Sequence, residues 1–130
     1  MKELVRRTRI SLTLEAPHRA RRWVHDAVAL EAETEEIVVL LLSELVSNSV
    51  RHSGRSPDEQ VEILIRQDGP IVHVEVMDPG LGEEVIEPQR SSEHLGLQIL
   101  DRLSDRWGVA HDPTTVWFDV GGDAGHQALG

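Results

Sequence analysis

The sequence predicts an α+β fold in which helices cover one face of a largely antiparallel sheet. Three observations carry it. Several stretches alternate apolar and polar residues with the period of a half-buried strand, others repeat apolar residues at helical spacing, and they succeed one another as β-α-α-β-β-α-β-β. At 130 residues the chain has the length of one domain, expected over residues 1–120, with 121–130 as a flexible tail.

The first strand is read from "RTRISLTLEA", where Ile10, Leu12 and Leu14 alternate with Ser11, Thr13 and Glu15. Pro17 suits the first turn of a helix carrying Trp23, Val24, Ala27, Val28 and Leu30. A second helix follows, with Thr34 as its N-cap, Glu35 and Glu36 at the positive end of its dipole, and apolar positions from Ile37 to Val50. "VEILIRQDGPIVHVEVMD" is a hairpin turning at Asp68-Gly69-Pro70, with Val61, Ile63, Ile65, Val72, Val74 and Val76 on one face. Leu97, Leu100 and Leu103 mark a short third helix, and "WGVAHDPTTVWFDV" a closing hairpin with its turn at Asp112-Pro113. The strict alternation leaves the second face of the sheet partly wet.

Composition removes several functions. There is no cysteine, hence no disulfide framework, thiolate metal site or cysteine nucleophile. No apolar run approaches the ~20 residues that span a bilayer, and the N-terminus lacks the apolar stretch of a secretion signal, so the cytoplasm is the expected location and no membrane the expected partner. A net charge of -10 repels a phosphate backbone, which disfavours direct nucleic-acid binding. The single lysine, Lys2, lies outside any Gly-rich loop, which excludes a Walker-type phosphate loop. His18, His25, His73, His111 and His126 show no metal-ligand spacing, and Trp23, Trp107 and Trp117 are assigned to packing.

Three short segments carry the chemistry. In "SELVSNSVRH", Glu44, Asn48 and His52 stand four residues apart on one stripe of the second helix, beside Leu41, Leu42, Leu45 and Val46. A carboxylate there can take a proton and an amide oxygen can ligate a hard cation; polar residues that merely line up on a helix are the competing reading. In "EVMDPGLGEE", Asp78 leaves an alternating strand just before Gly80 and Gly82, a pattern that suits an exocyclic amine against a glycine wall and equally an ordinary Asp-Pro-Gly turn. In "SSEHLGLQIL", Gly96 opens a helix whose free N–H groups can receive phosphate.

Together these segments resemble the GHKL ATPase superfamily of gyrase, heat-shock chaperone, histidine kinase and mismatch-repair protein, and within it the anti-sigma-factor serine/threonine kinases. The resemblance runs from about Ile10 to Val120. It implies a histidine-kinase-like ATPase fold, a two-layer α/β sandwich holding ATP and Mg²⁺ between helices and sheet. By this resemblance "ELVSN" is the N box, with Glu44 the general base and Asn48 the magnesium ligand, continued by Arg51 and His52. "DPGLG" is the first glycine box, in which Asp78 reads the adenine amine and Gly80 and Gly82 shape the wall. "HLGLQIL" is the second glycine box, supplying His94, Leu95, Gly96 and Leu97, while Thr115 stands near the adenine end of the pocket. Three departures accompany it. His94 occupies the usual first glycine, where a protonated ring can still contact phosphate. The segment from Glu83 to Glu93 is short and acidic, and Asp112-Pro113-Thr114 replaces a Gly-rich closing turn.

The function so implied is an anti-sigma-factor-type protein kinase that phosphorylates a serine or threonine of a small antagonist (anti-anti-sigma) protein, sequesters a sigma factor otherwise, and forms a homodimer. The alternative is a non-catalytic module that captures partners with ATP or with no nucleotide. A detached histidine-kinase fragment is disfavoured, because no phosphoacceptor helix pair precedes the domain.

Overall fold

A computed structural model describes residues 3–52, 58–78, 95–110 and 114–121. Its elements are β1 (Glu3–Ser11), α1 (Ala16–Ala27), α2 (Ala32–His52), β2 (Gln60–Asp68), β3 (Ile71–Met77), α3 (Leu95–Leu103), β4 (Arg106–Ala110) and β5 (Thr115–Val120). This is the order read from the sequence. The strands form a five-stranded sheet in the order β1-β2-β3-β5-β4, every neighbouring pair antiparallel. The helices lie on one face, α1 against β1, α2 against β3 and β5, and α3 against β4 and α2. The expected tail lies outside the described residues from 122 onward.

The alternation in β2 and β3 decides which face the helices cover. Ile63 pairs with Val76, and Val76 with Val116; Ile65 pairs with Val74, and Val74 with Phe118. These side chains are buried against Ala20 and Val24 of α1, Val38, Leu41, Leu42, Leu45 and Val46 of α2, and Leu100 of α3. Burial of each Val, Leu, Ile or Phe among them contributes about 1.5–3 kcal/mol of hydrophobic stabilisation. Gly69 has φ 62° at the first position of the two-residue loop between β2 and β3. A hairpin turn of that length needs a positive φ there, which glycine adopts without a Cβ clash.

Several boundaries differ from expectation. Leu14 is not a third inward residue of β1: the strand ends at Ser11, Leu12 is buried just after it, and Leu14 is 89% exposed. The chain turns there, with the Thr13 N–H donating to the Ser11 carbonyl and the Ala16 N–H to the Thr13 carbonyl. α1 stops at Ala27, since Val28 is extended (φ −135°, ψ 150°), so Leu30 falls beyond it. Thr34 is not the N-cap of α2. The helix starts at Ala32, and the Glu35 N–H already donates to the Glu31 carbonyl. Pro17 does sit in the first turn of α1.

α1 and α2 are joined by an ion pair, His25 Nδ1 to Glu35 Oε2 at 2.9 Å. The hydrogen bond and charge of Glu35 raise the His25 pKa above its ordinary value of 6.5. A His pKa raised in the folded state stabilises fully below the unfolded value of about 6.5 and loses that contribution as pH climbs through the raised value. Thermal unfolding of the wild type and Glu35→Gln should therefore differ most below pH 6 and converge as the pH climbs past the raised His25 value. A gap that does not change with pH would show that the pair contributes nothing through protonation.

No helix among the described residues is long and apolar enough to cross a membrane. The face of the sheet away from the helices is polar but not bare. Its central rows, read across the strands, are Val5–Arg66–His73–Asp119–Arg106 and Arg7–Leu64–Glu75–Trp117–Gly108. Gly108 leaves room for the indole of Trp117, since a Cβ there would stand 2.8 Å from ring atoms.

Candidate functional site

The middle of α2 is enclosed on most sides because it packs simultaneously on α1, β3, β5 and α3. Leu41, Leu42, Leu45 and Val46 supply the apolar contacts, and the stripe predicted to carry chemistry runs along the border of that contact. Glu44 is half-buried, Asn48 is 3% exposed, and Arg51 is exposed one turn further on. Arg51 Nη2 donates to Asn48 Oδ1 at 2.6 Å. That is short for an N–H···O bond, as expected where the donor is a cation. His52 is the last residue of α2, and its side chain lies outside the described residues.

Asp78 follows β3 directly and is 2% exposed. Its N–H donates to the Thr114 carbonyl at 2.9 Å, and its neighbour Met77 pairs with Thr115 at the start of β5. The structure therefore brings Asp78 and Thr115, 37 positions apart, to the same end of adjacent central strands, both buried. α2 packs on both of those strands. α3 starts at Leu95, so Gly96 and Leu97 stand in its first turn, where backbone N–H groups have no intrahelical acceptor. Gly80, Gly82 and His94 lie outside the described residues, as do the side chains of Leu95 and Leu97.

Asn48 bears on whether magnesium suits this stripe. Its amide oxygen already holds a cation, the Arg51 guanidinium, and with Glu44 it forms a set of hard oxygen donors on one helix face. Among the described residues no group of three or more His, Cys, Asp or Glu side chains could hold a metal. Magnesium at Asn48 would thus complete its coordination with water and phosphate oxygens, its usual habit at nucleotide sites. The residues fit the ion.

The sequence reading overlooked a second polar cluster, on the uncovered sheet face. His73 Nδ1 faces Asp119 Oδ1 at 2.6 Å, and its Nε2 faces Glu75 Oε2 at 2.9 Å. Arg106 Nη2 holds the other Asp119 oxygen at 3.1 Å, and Trp117 stacks on the imidazole with centroids 5.7 Å apart. His73 thus has a carboxylate oxygen within hydrogen-bond distance of each ring nitrogen. Trp117, read from the sequence as core or edge packing rather than a stacking platform, here stacks on His73 beside a shallow cavity of about 410 Å³. A local signal existed, since His73 and Glu75 share a face at i, i+2, but Asp119 becomes their neighbour only through the pairing of β3 with β5.

Comparison with known proteins agrees with the fold. A family model described as the histidine kinase-like ATPase domain matches residues 10–119. Among solved structures, the RsbU and RsbW domains of Rv1364c from Mycobacterium tuberculosis share the fold with a TM-score of 0.63 at 16% identity, over 88% of this chain. This chain spans 31% of the length of that one, and at this identity the likeness is one of fold. No curated protein matches the chain.

Proposed function

Since the chain belongs to the histidine kinase-like ATPase domain family, we propose that it binds ATP with magnesium and transfers the γ-phosphate to a serine or threonine of a small antagonist protein, in a partner-switching system that regulates transcription. The observation that carries this reading is the buried amide oxygen of Asn48, held to a cation, on the helix that packs over the two strands delivering Asp78 and Thr115. Support for the partner-switching context comes from the fold shared with a chain that carries an RsbW domain beside an RsbU domain. A sigma factor and a second copy of the chain complete the proposed partners, and residues 1–120 the proposed domain.

The roles follow from position. Asp78, buried at the end of β3, accepts a hydrogen bond from the adenine amine, and Thr115 lies beside it. The first turn of α3 offers phosphate N–H groups that have no intrahelical acceptor, with Gly96 placing no side chain in the way. Asn48 offers its amide oxygen to magnesium, which when bound offsets phosphate charge. Glu44, half-buried one turn before Asn48, takes the proton of the attacking hydroxyl. Positioning and electrostatics supply most of the acceleration in phosphoryl transfer.

The test is calorimetric titration of the folded protein with ATP, with and without magnesium, for the wild type, Asn48→Ala and Asp78→Asn. Hydrogen bonds to charged groups contribute about 1.5–3 kcal/mol, so each substitution should weaken binding roughly tenfold or more. Magnesium should strengthen wild-type binding and do so far less in Asn48→Ala. Absence of ATP binding by the folded wild type would sink the reading. His94, standing where a glycine is usual, favours a second one: ATP binds and partners are captured, but no phosphate moves.

A further inference from the structure

We propose that Arg51 makes the Asn48 site selective for a metal that arrives with a polyphosphate, by occupying the amide oxygen against any free divalent cation. The proposal rests on the reading of Asn48 as the magnesium ligand and adds to it a residue that decides when the ligand is available.

The argument starts from the contact itself. Asn48 is almost completely buried, and Arg51 Nη2 reaches its Oδ1 from the exposed side of the helix at 2.6 Å. The i, i+3 spacing places both side chains on one face of α2, so the contact forms within a single turn and needs no other element. The guanidinium puts a positive charge directly on this oxygen, and the oxygen is cleared when the Arg51 side chain moves away.

A divalent ion bound to the same oxygen would stand about 4 Å from the guanidinium, where like charges repel by several times thermal energy even at an effective dielectric of 20. A free metal ion brings nothing to offset that repulsion. A polyphosphate does: its negative charges offset both cations and give the guanidinium an acceptor better than a neutral amide. Because Arg51 is exposed, its long side chain has solvent to swing into. Metal occupancy at Asn48 is thereby coupled to polyphosphate occupancy, and the sites are linked in both directions.

The experiment uses ¹⁵N-labelled full-length chain and follows the Asn48 side-chain amide signal by NMR, with Mn²⁺ as a paramagnetic probe. In the wild type the signal should survive Mn²⁺ alone and broaden once ATP is added. In Arg51→Met it should broaden with Mn²⁺ alone, at a concentration roughly fivefold or more below the wild-type requirement. Arg51→Gln, which keeps a donor without the charge, should behave as Arg51→Met does. Equal broadening of wild type and both variants by Mn²⁺ alone, with the ATP-dependent broadening intact, overturns the role of Arg51 while leaving the nucleotide site standing. If ATP binds yet ATP with Mn²⁺ leaves the Asn48 signal sharp, Asn48 is not the metal ligand, and the proposal falls with that assignment.

Discussion

Glu44→Ala is expected to lower the rate of phosphate transfer by roughly 10²–10⁴-fold, the usual contribution of a positioned general base, while leaving ATP affinity nearly unchanged. The expectation follows from the reading proposed above and from where the side chain sits. Glu44 lies between buried Leu41 and Leu45 on a helix that packs against four other elements, so its Cα is fixed by contacts the substitution does not touch. Alanine is a better helix former than glutamate, which leaves α2 intact. Glu44 is half-buried and Asn48, on the same stripe, is almost fully buried; in the proposed reading the more open carboxylate meets the hydroxyl and the deeper amide the metal. Glu44→Gln keeps the shape and removes the base, so both variants should fail alike in a single-turnover assay. Transfer at the wild-type rate in both would remove Glu44 from the chemistry. A wild type that binds ATP but phosphorylates neither the antagonist nor water would favour partner capture.

What the sequence revealed and what it hid divide by distance along the chain. The ladder on α2 was readable because i, i+4 spacing is local: a helix places Glu44, Asn48 and His52 on one stripe whatever else the chain does. Even the contact between Arg51 and Asn48 was within reach of the same rule. The inward faces of β2 and β3 followed from alternation, and Val61, Ile63, Ile65, Val72, Val74 and Val76 are all buried as expected. Where a local pattern ran through a turn, it misled. Leu14 continues the alternation of Ile10 and Leu12, yet the hydrogen bonds around Thr13 turn the chain before Leu14 can reach the core. Contacts set by sheet order were out of reach. His73 and Asp119 are 46 residues apart and meet because β5, not β4, lies beside β3. The same pairing joins Asp78 to Thr114, so the cluster on the open face and the predicted adenine end depend on one crossover.

That crossover also fixes the residue on which the fold depends most. Among the described residues Phe118 is the largest fully buried side chain; it lies in the middle of β5, paired with Val74 of β3 on one side and Trp107 of β4 on the other. Phe118→Ala should cost about 3–5 kcal/mol, combining lost transfer energy with the cavity left where three strands meet the helices. Against a total stability of about 5–15 kcal/mol this is a large fraction, read as a lower urea midpoint with little change in slope. Leu14→Ala is the informative counterpart. If Leu14 continued an inward strand, its truncation would cost about 2–5 kcal/mol as at other core leucines. As an exposed turn residue it should change stability by no more than about 0.5 kcal/mol. A large effect at both positions would place the end of β1 beyond Ser11, and a small effect at both would mean that β5 does not lie between β3 and β4. A large loss at Phe118 agrees with the sheet order that places Asp78 beside Thr115, and almost none at Leu14 agrees with a β1 that ends at Ser11.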